Sequence, residues 1–297
     1  MDSDILSSAM KAASSAVDRV LDKIIQNGSG AETQLVEAMR YAVLSPGKRL
    51  RPFLTICAAE VFDVARPVAV RTGAALECIH SYSLVHDDLP AMDDDDLRRG
   101  RPTLHKAYDE ATAILAGDAL LTLAFEIVSA PETSPKAEVR AELCRTLAKA
   151  AGYQGMVGGQ MIDLSAAREP LAESAIHRMQ QMKTGALICA SVEAGAVLGE
   201  ASTKARQSLN YYARDLGVAF QIADDLLDVE GTEEATGKAV RKDADHGKST
   251  FVELLGVERA RQQATMLADQ AIEHLADFGD KATLLRAVAH FAVNRSH

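Results

Sequence analysis

The residues best suited to chemistry begin with an aspartate-rich run, Asp87-Asp88-Leu89-Pro90-Ala91-Met92-Asp93, which Asp94, Asp95 and Asp96 follow directly. The run comes after a largely apolar segment, residues 75–86, so its first members are expected inside the fold or at its rim. Proline stops or bends a helix. A bend at Pro90 would bring Asp93 back beside Asp87, whereas a straight helix would place the two on different faces. A solvated acidic turn is the alternative interpretation.

A second acidic cluster, Asp224-Asp225-Leu226-Leu227-Asp228, lies within an apolar segment of helical character. Asp224 and Asp228 are four residues apart and therefore stack on one helical face. At about 5 Å and an effective dielectric of about 20, two such charges repel each other by about 3 kcal/mol. A bound cation would offset this repulsion, while a solvated helix face is the alternative interpretation.

The all-oxygen character of both clusters predicts a hard cation, namely magnesium, manganese or calcium. Neither cluster has the spacing of a calcium-binding loop with its closing glutamate. A di-iron site needs Glu-x-x-His on each of two helices, and Glu77-Cys78-Ile79-His80 supplies one copy only. Magnesium held by few carboxylates completes its shell with water and substrate phosphate. The two clusters therefore predict a phosphorylated substrate.

Basic residues occur at five places where such a substrate could be held directly. They are Lys48 and Arg51 in the turn at residues 47–52, Arg98 and Arg99 after the first acidic run, Lys183 before Thr184 and Gly185, Lys238 after Gly237, and Lys248 after Gly247. Each group taken alone is more typical of a solvated surface. A P-loop at Gly247-Lys248-Ser249 is excluded, because Lys242 occupies the place of the required glycine. Together with the acids, these residues predict a site for two polyanions, one held through metal and one directly by basic groups.

The elements that must position these groups are predicted to be helical. Apolar residues recur at intervals of three and four, and no two-residue alternation predicts a strand. Long helices are expected over about residues 68–88, 112–129, 172–198 and 204–228, with glycine and proline clusters between them. No linker-like stretch divides the chain, so the sequence predicts a single all-α domain over residues 1–297, a bundle of long helices. Two smaller helical domains are the alternative.

Composition limits the class of protein. The 297 residues are 47% hydrophobic and 4% aromatic, and 42 acidic against 32 basic residues give a net charge of −10. An acidic chain is a poor candidate for nucleic-acid binding. Four cysteines without a CxxC pair predict buried, reduced thiols. With no signal-peptide pattern and no uncharged apolar run of about 18 residues, a soluble cytoplasmic protein without a membrane span is expected.

Five motifs together resemble those of the trans-isoprenyl diphosphate synthases, most closely the bacterial farnesyl diphosphate type. They are, in order, GKRLRP, HDDLPAMDDDDLRRGRPT, MKTGAL, FQIADDLLD and DHGKST, within a resemblance that extends from about residue 40 to residue 256. The resemblance implies a homodimeric all-α bundle with a deep central cavity. It also implies about three magnesium ions at the mouth of that cavity, held between the two aspartate motifs on an allylic diphosphate.

The resemblance implies roles for residues at matching positions. Asp87, Asp93 and Asp224 would be the main metal ligands, with Asp88, Asp225 and Asp228 in support. Lys48, Arg51, His80 and Arg99 would bind isopentenyl diphosphate, and Arg98, Lys183, Lys238 and Lys248 would bind the allylic diphosphate. Thr184 and Gln221 would lie with Lys183 near the developing carbocation. Without the resemblance, His80 would be read as a buried core histidine.

The implied reaction is transfer of an allylic group. Diphosphate departs with the help of metal, the isopentenyl double bond attacks the allylic carbocation, and a proton is lost. Each added isoprene unit buries about five carbons, worth roughly 4 kcal/mol, so a solid floor must end elongation. Tyr82, five residues before Asp87 and beside Ser83, is the expected floor. Together with the extra residues Pro90 and Ala91 it implies a farnesyl product.

Three alternatives share parts of this pattern. The same chemistry could yield a geranyl or geranylgeranyl product, and a packed core position would also explain Tyr82. A class I terpene cyclase usually carries an Asn/Ser/Glu metal motif second, where this chain has the aspartates at residues 224–228. A catalytically silent synthase subunit is expected to lose an aspartate motif or a basic box, and neither is missing.

Overall fold

Helices form almost all of the regular structure in the computed structural model, which describes residues 3–26, 28–166, 173–230, 252 and 255–294. In this part of the chain the helices are α1 Ser3–Ile24, α2 Thr33–Val43, α3 Leu50–Glu60, α4 Arg66–Asp87, α5 Leu104–Ala107, α6 Glu110–Ser129, α7 Ala137–Ala151, α8 Met156–Ala166, α9 Glu173–Gln180, α10 Ala186–Leu198, α11 Thr203–Glu230, α12 Val257–Glu273 and α13 Thr283–Asn294. A π-helical turn at Gln181–Gly185 precedes α10, and a 3-10 segment at Ala276–Ala282 precedes α13.

The four long helices predicted from periodicity are confirmed to within two residues at each end. The helix expected over residues 172–198 is a continuous helical run made of α9, the π turn and α10. Capping explains the start of α6, because the Asp109 side chain accepts a hydrogen bond from the backbone N–H of Thr112 at 2.8 Å.

One small departure from the all-helical prediction is a two-stranded antiparallel hairpin, β1 Leu97–Arg98 with β2 Arg101–Pro102. Its turn residues Arg99 and Gly100 have φ values of 53° and 74°, as the tight turns that match strand twist require. Strands of two residues are too short to produce an alternating pattern, so no strand could be predicted here from the sequence. The hairpin places two basic residues directly beside the first acidic run.

The core extends from α1 to α13, so the described helices form a single domain. Helix α4 lies in its middle and is buried on nearly every side between Ala69 and Val85, which is why its sequence shows no polar face. Tyr212, the largest fully buried side chain, donates its hydroxyl to the carbonyl of Leu285 at 2.8 Å. That bond ties α11 to α13. Because α4 and α11 carry the two aspartate motifs, both motifs are attached to rigid, well-packed elements.

Helix α6 is the one described helix that is long and apolar enough to cross a bilayer by length and composition alone, with a mean hydropathy of 1.7. Core helices of soluble proteins meet the same criterion. One side of α6, including Ala113, Ala116 and Leu120, is buried. The other side exposes Ile114 and Leu115, so α6 presents an apolar surface that the rest of the described chain does not cover.

Candidate active site

The first acidic cluster is folded by a reversal of the chain at the end of α4. The backbone N–H of Asp93 donates to the carbonyl of Asp87 at 2.9 Å, and that of Met92 donates to Leu89 at 2.8 Å. The bend predicted at Pro90 is therefore confirmed. Burial raises the pKa of Asp87 to about 6, and the neighbouring Asp93 contributes in the same direction, although Lys183 opposes the rise. A partly buried acid of this kind favours a cationic partner.

Asp88, the next residue, is almost fully buried and has Arg98 as its partner. Arg98 Nε lies 2.7 Å from Oδ1 and 2.9 Å from Oδ2 of Asp88, and Nη2 lies 2.5 Å from Oδ1. This is the forked pairing that guanidinium and carboxylate prefer. The predicted metal-supporting acid and the predicted diphosphate-binding arginine thus contact each other, and the hairpin that carries Arg98 is fixed against α4.

Lys183 connects the first acidic cluster to α8. Its Nζ donates to Oδ2 of Asp163 at 2.6 Å, and the charges of Asp87 and Asp163 raise its pKa although burial acts against this. It lies in the π turn, a helix irregularity that is frequent at functional sites. A Cβ on Gly159 would lie 2.3 Å from the backbone nitrogen of Lys183, so only glycine allows α8 to approach the turn this closely. The same turn carries Thr184.

Asp163 is a candidate site residue that sequence reasoning missed. Its side chain is 10% exposed and pairs with Lys183. Three residues earlier on α8, Gln160 is buried, and neither of its side-chain amide atoms has a hydrogen-bond partner among the described residues. The signal available in the sequence was an acid inside the apolar segment MVGGQMIDL, the same feature that identified Asp224. We expect Asp163 to set the position of the Lys183 ammonium.

The second acidic cluster lies near the end of α11. Asp225 is buried and accepts a hydrogen bond from Nε2 of Gln221 at 2.9 Å. Asp224 and Asp228 are only partly buried, so the two residues predicted to repel each other retain contact with solvent. The predicted position of Gln221 near a carbocation stays a prediction, since its observed contact is with Asp225.

Four arginines surround His80, and they form a basic cluster between the two acidic clusters. Burial, followed by Arg51, Arg99, Arg98 and Arg49, holds the pKa of His80 well below its usual value, so the imidazole is neutral. Arg98 also lowers the pKa of Asp87, on the side of the first cluster. On the other side the charge of Asp224 raises the pKa of Arg51, although burial lowers it overall. The two acidic clusters therefore border the same basic region rather than separate stretches of solvent.

Arg99, Arg51 and the neighbouring Lys48 differ in how enclosed they are, since Arg99 and Lys48 are exposed and Arg51 is partly buried. Nη1 of Arg99 donates to the carbonyl of Pro46 at 2.8 Å. Lys48 is exposed and lies 5.5 Å from the centre of the Phe291 ring on α13. Among the described residues, nothing accepts a hydrogen bond from Nε of Arg51. A buried donor of this kind is costly unless a ligand satisfies it.

Tyr82 lies on the side of α4 where His86 contacts α6. Its side chain is 5% exposed, and its ring meets the His86 ring edge-on at 5.8 Å between centroids. His86 Nε2 is 3.1 Å from the carbonyl oxygen of Ile114 on α6. Burial, with a smaller effect of Asp87, raises the pKa of Tyr82 to about 12. The adjacent Ser83 donates its hydroxyl to the carbonyl of His80 at 2.8 Å.

The donor atoms of the acidic clusters fit a divalent metal that is completed by other ligands. In the described ranges, no three His, Cys, Asp or Glu side chains are gathered closely enough to hold an ion by themselves. Magnesium bound through one or two carboxylates, with waters and substrate phosphate in the other positions, does not need such a group. Lys238 and Lys248, two of the predicted diphosphate ligands, lie outside the described residues.

Known proteins resemble this chain over nearly its whole length. The sequence pattern of the family described as Polyprenyl synthetase matches residues 32–289. The chain is 44% identical to the farnesyl diphosphate synthase of Escherichia coli (strain K12), with 98% of each chain covered. It is 40% identical to a geranylgeranyl diphosphate synthase of Cyanophora paradoxa, covering 95% of this chain and 93% of that protein. The apo crystal structure of an FPP/GFPP synthase from Zymomonas mobilis matches with a TM-score of 0.91 at 48% identity, covering 98% of this chain and 100% of the other.

Proposed function

Because the chain belongs to the polyprenyl synthetase family, whose members require a divalent metal, we propose that it is a farnesyl diphosphate synthase. It joins isopentenyl diphosphate to dimethylallyl diphosphate and then to geranyl diphosphate. The observation that carries the proposal is the arrangement of charges. Arg98 of the basic cluster is hydrogen-bonded to Asp88 in the first acidic cluster, and the charge of Asp224 in the second acidic cluster raises the pKa of Arg51 in the same basic cluster, although burial lowers it overall.

Asp87, Asp93 and Asp224 would hold the metal, with Asp88, Asp225 and Asp228 in support. When bound, about three magnesium ions would act as Lewis acids on the oxygens of the allylic diphosphate. Lys183 keeps its proton because the two carboxylates beside it raise its pKa. Its ammonium is therefore a fixed positive charge for the departing diphosphate, which is the kind of preorganised stabilisation that lowers such barriers. Arg98, Lys238 and Lys248 are proposed to bind the same diphosphate.

Isopentenyl diphosphate would bind at the basic cluster, to Lys48, Arg51, Arg99 and His80. The Nε–H of Arg51 has no acceptor among the described residues, and a phosphate oxygen would provide one. Burial and the neighbouring arginines lower the pKa of His80, which favours the neutral imidazole, and a neutral imidazole can donate one hydrogen bond without adding charge. These groups orient the double bond toward the allylic carbon, the kind of orientation that replaces a bimolecular encounter.

The bond-forming step needs no protein nucleophile. The allylic C–O bond breaks and diphosphate leaves with the bonding electrons. The π electrons of the isopentenyl double bond then form the new C–C bond, and the resulting tertiary cation loses a proton to the released diphosphate. Thr184 and Gln221 are proposed to lie near the positive charge. The oxygen atoms of these side chains would stabilise it without reacting with it.

The direct test supplies purified protein with magnesium, isopentenyl diphosphate and dimethylallyl diphosphate, followed by chromatography of the dephosphorylated products. A fifteen-carbon alcohol is expected. A dominant ten- or twenty-carbon product would contradict the farnesyl proposal while preserving the chemistry. A cyclic hydrocarbon formed when farnesyl diphosphate is supplied instead would indicate a terpene cyclase, and an absence of turnover with either mixture would indicate a silent subunit.

Replacing Tyr82 with alanine is expected to lengthen the product beyond fifteen carbons. Removing the buried phenol would open space at the proposed floor, and each additional isoprene unit that becomes buried there is worth roughly 4 kcal/mol. The measurement is the distribution of chain lengths by chromatography. Tyr82→Phe retains the ring and should still give farnesyl diphosphate. An active Tyr82→Ala enzyme that makes only the fifteen-carbon product would show that Tyr82 is an ordinary core residue.

The exposed apolar side of α6 supports a homodimer as the working form. Leu115 is 57% exposed and Ile114 is 45% exposed on this helix. Apolar side chains on an unpaired helix face are typical of contact surfaces. A second copy of the chain would bury them through a self-complementary contact.

Leu115→Glu is accordingly expected to convert a dimer into a monomer, because the buried face would then contain two unpaired carboxylates. Sedimentation velocity of both proteins measures the change. Met266→Glu is the matched control, since Met266 is 44% exposed on α12, outside the proposed interface. A Leu115→Glu protein that stays dimeric would exclude α6 from the interface.

The proposed location of the enzyme is the cytoplasm. The four cysteines are free, and two of them, Cys57 and Cys78, are fully buried. Cys144 and Cys189 are partly buried, which is less than the sequence predicted for them. Unpaired thiols are common in a reducing compartment. We propose that the polyprenyl synthetase domain occupies residues 1–297.

A further inference from the structure

Glu77 is a buried acid in the middle of the basic cluster, and the proposed mechanism assigns it no role. It lies on α4, one helical turn before His80, and its side chain is 3% exposed. Its Oε1 accepts a hydrogen bond from Nη1 of Arg49 at 2.8 Å. An acid in a site for anions weakens anion binding by its charge alone, so its presence there needs a structural reason.

Glu77 acts on more than one arginine. Its charge raises the pKa of both Arg51 and Arg99, although burial lowers the pKa of each overall. Glu77 therefore contacts Arg49 directly and acts on the guanidinium groups of Arg51 and Arg99 through its charge. Like charges at close range in a poorly solvated region repel strongly. Glu77 is the counter-charge that lets the three groups remain close together.

Arg49 connects Glu77 to the turn at residues 47–52, which carries Lys48 and Arg51. Its guanidinium donates to the carbonyls of Val43 and Ser45 at 2.6 Å and 2.8 Å, and to Oδ1 of Asp18 at 2.9 Å. Its backbone is left-handed, with φ of 48°, at the N-cap of α3. Such a conformation is unfavourable for a residue with a side chain unless surrounding contacts hold it.

Gly47 lies where two of these guanidinium groups come together. A Cβ at this position would lie 2.4 Å from Nη1 of Arg99 and 3.2 Å from Nη1 of Arg49. The turn therefore packs directly against both arginines. Lys48 and Arg51 are one and two residues from Arg49 along the chain, so any displacement of Arg49 displaces them as well.

We propose that Glu77, acting through Arg49, is a positioning residue for isopentenyl diphosphate: it holds Lys48, Arg51 and Arg99 in the arrangement that this substrate requires. The inference rests on the proposed function, because it names the substrate bound at the basic cluster. A change at Glu77 is therefore expected to affect the binding of isopentenyl diphosphate and not that of the allylic diphosphate. The aspartate clusters and Lys183, on the allylic side, are expected to keep their arrangement when Glu77 is changed, because Asp88 is held by Arg98 and Lys183 by Asp163.

The test compares Glu77→Gln with the parent enzyme in steady-state kinetics, varying each substrate separately. Glutamine keeps the shape of the side chain and removes its charge. The KM for isopentenyl diphosphate should rise by about ten-fold or more, while the KM for geranyl diphosphate changes by less than about two-fold. Arg49→Lys should produce the same selective rise, because lysine keeps the charge but cannot make the several hydrogen bonds of the guanidinium.

Glu193→Gln is the matched control. Glu193 accepts a hydrogen bond from Nε of Arg206 at 2.7 Å between α10 and α11, so its loss also removes one side of an arginine–glutamate pair. Thermal unfolding followed by circular dichroism should show that both Glu77→Gln and Glu193→Gln are destabilised. Only Glu77→Gln should also show the selective rise in the KM for isopentenyl diphosphate.

Three results would overturn the inference. The first is an unchanged KM for isopentenyl diphosphate in a folded Glu77→Gln enzyme, and the second is an equal rise in the KM values of both substrates. The third is a fall in the KM for isopentenyl diphosphate, which would mean that the charge of Glu77 only weakens binding of this anion. If Glu77→Gln does not fold, Arg49→Lys decides by the same criteria. Failure of the proposed function is distinguishable, because the parent protein would then make a product of another chain length or would not consume isopentenyl diphosphate at all.

Discussion

Replacing Asp224 with asparagine is expected to lower kcat by about 10³-fold or more, equivalent to about 4 kcal/mol of lost transition-state stabilisation. Asparagine has nearly the same shape but no charge, so it weakens metal binding while preserving packing. The fold should persist, because Asp224 is only partly buried and the adjacent Asp225 keeps its separate hydrogen bond with Gln221. Turnover of isopentenyl and geranyl diphosphates measures the loss, and far-ultraviolet circular dichroism checks the helices.

Asp215→Asn provides the control on the same helix. Asp215 lies 3.0 Å from Nε2 of His274 on the opposite side of α11 from the basic cluster, and its replacement should change kcat by less than about two-fold. Titrating magnesium should also separate the two variants, with a higher requirement in Asp224→Asn alone. If Asp224→Asn retained more than about a tenth of the parent turnover, the assignment of Asp224 as a main metal ligand would be wrong.

The bend in the first acidic cluster and the long helices could be predicted because their signals are local. Pro90 indicated a bend, and the hydrogen bond from Asp93 to Asp87 is its direct consequence. The long helices followed from the spacing of apolar residues, because burial of a helix face imposes that spacing. These features depend on residues less than about ten positions apart. The order and spacing of such residues can be read directly from a single sequence.

Contacts between distant segments were not predictable in the same way. Lys183 is hydrogen-bonded to Asp163 because α8 packs closely on the π turn at Gly159. The spacing of these residues in the sequence does not predict this contact. Within the helix predicted over residues 172–198, the sequence singled out Lys183 only as a basic residue before Thr184 and Gly185. That the helix contains a π turn there, which widens it where a functional side chain emerges, follows from tertiary packing.

Arg98 and Asp88 illustrate a different limit. They are ten residues apart, and the sequence assigned one to diphosphate and the other to metal. The hairpin that turns at Arg99 and Gly100 folds Arg98 back onto Asp88, where burial of the carboxylate makes a forked partner favourable. A pairing formed by two-residue strands gives no periodic signal, so charge and motif alone could not reveal it.

Substituting glutamine for Lys183 is expected to reduce kcat by about 10²- to 10³-fold and to leave the KM for isopentenyl diphosphate nearly unchanged. The ammonium is held by Asp163 at 2.6 Å and by the charge of Asp87, which together raise its pKa. It therefore stays charged at every pH at which the enzyme would work. Without it, the departing diphosphate loses a preorganised positive charge, whereas the basic cluster that receives the other substrate keeps all of its residues.

Stability and catalysis can be separated at this position. Lys183→Gln leaves the carboxylate of Asp163 buried without its ion partner, at an expected cost of about 2 kcal/mol in the free energy of unfolding. The double variant Lys183→Gln with Asp163→Asn removes that uncompensated charge, so it should regain stability in urea unfolding while remaining as inactive as the single variant. Lys204→Gln, which breaks an exposed pair with Asp277 of 2.8 Å, should alter neither property. Recovery of turnover together with stability in the double variant would mean that Lys183 serves the fold rather than the departing diphosphate.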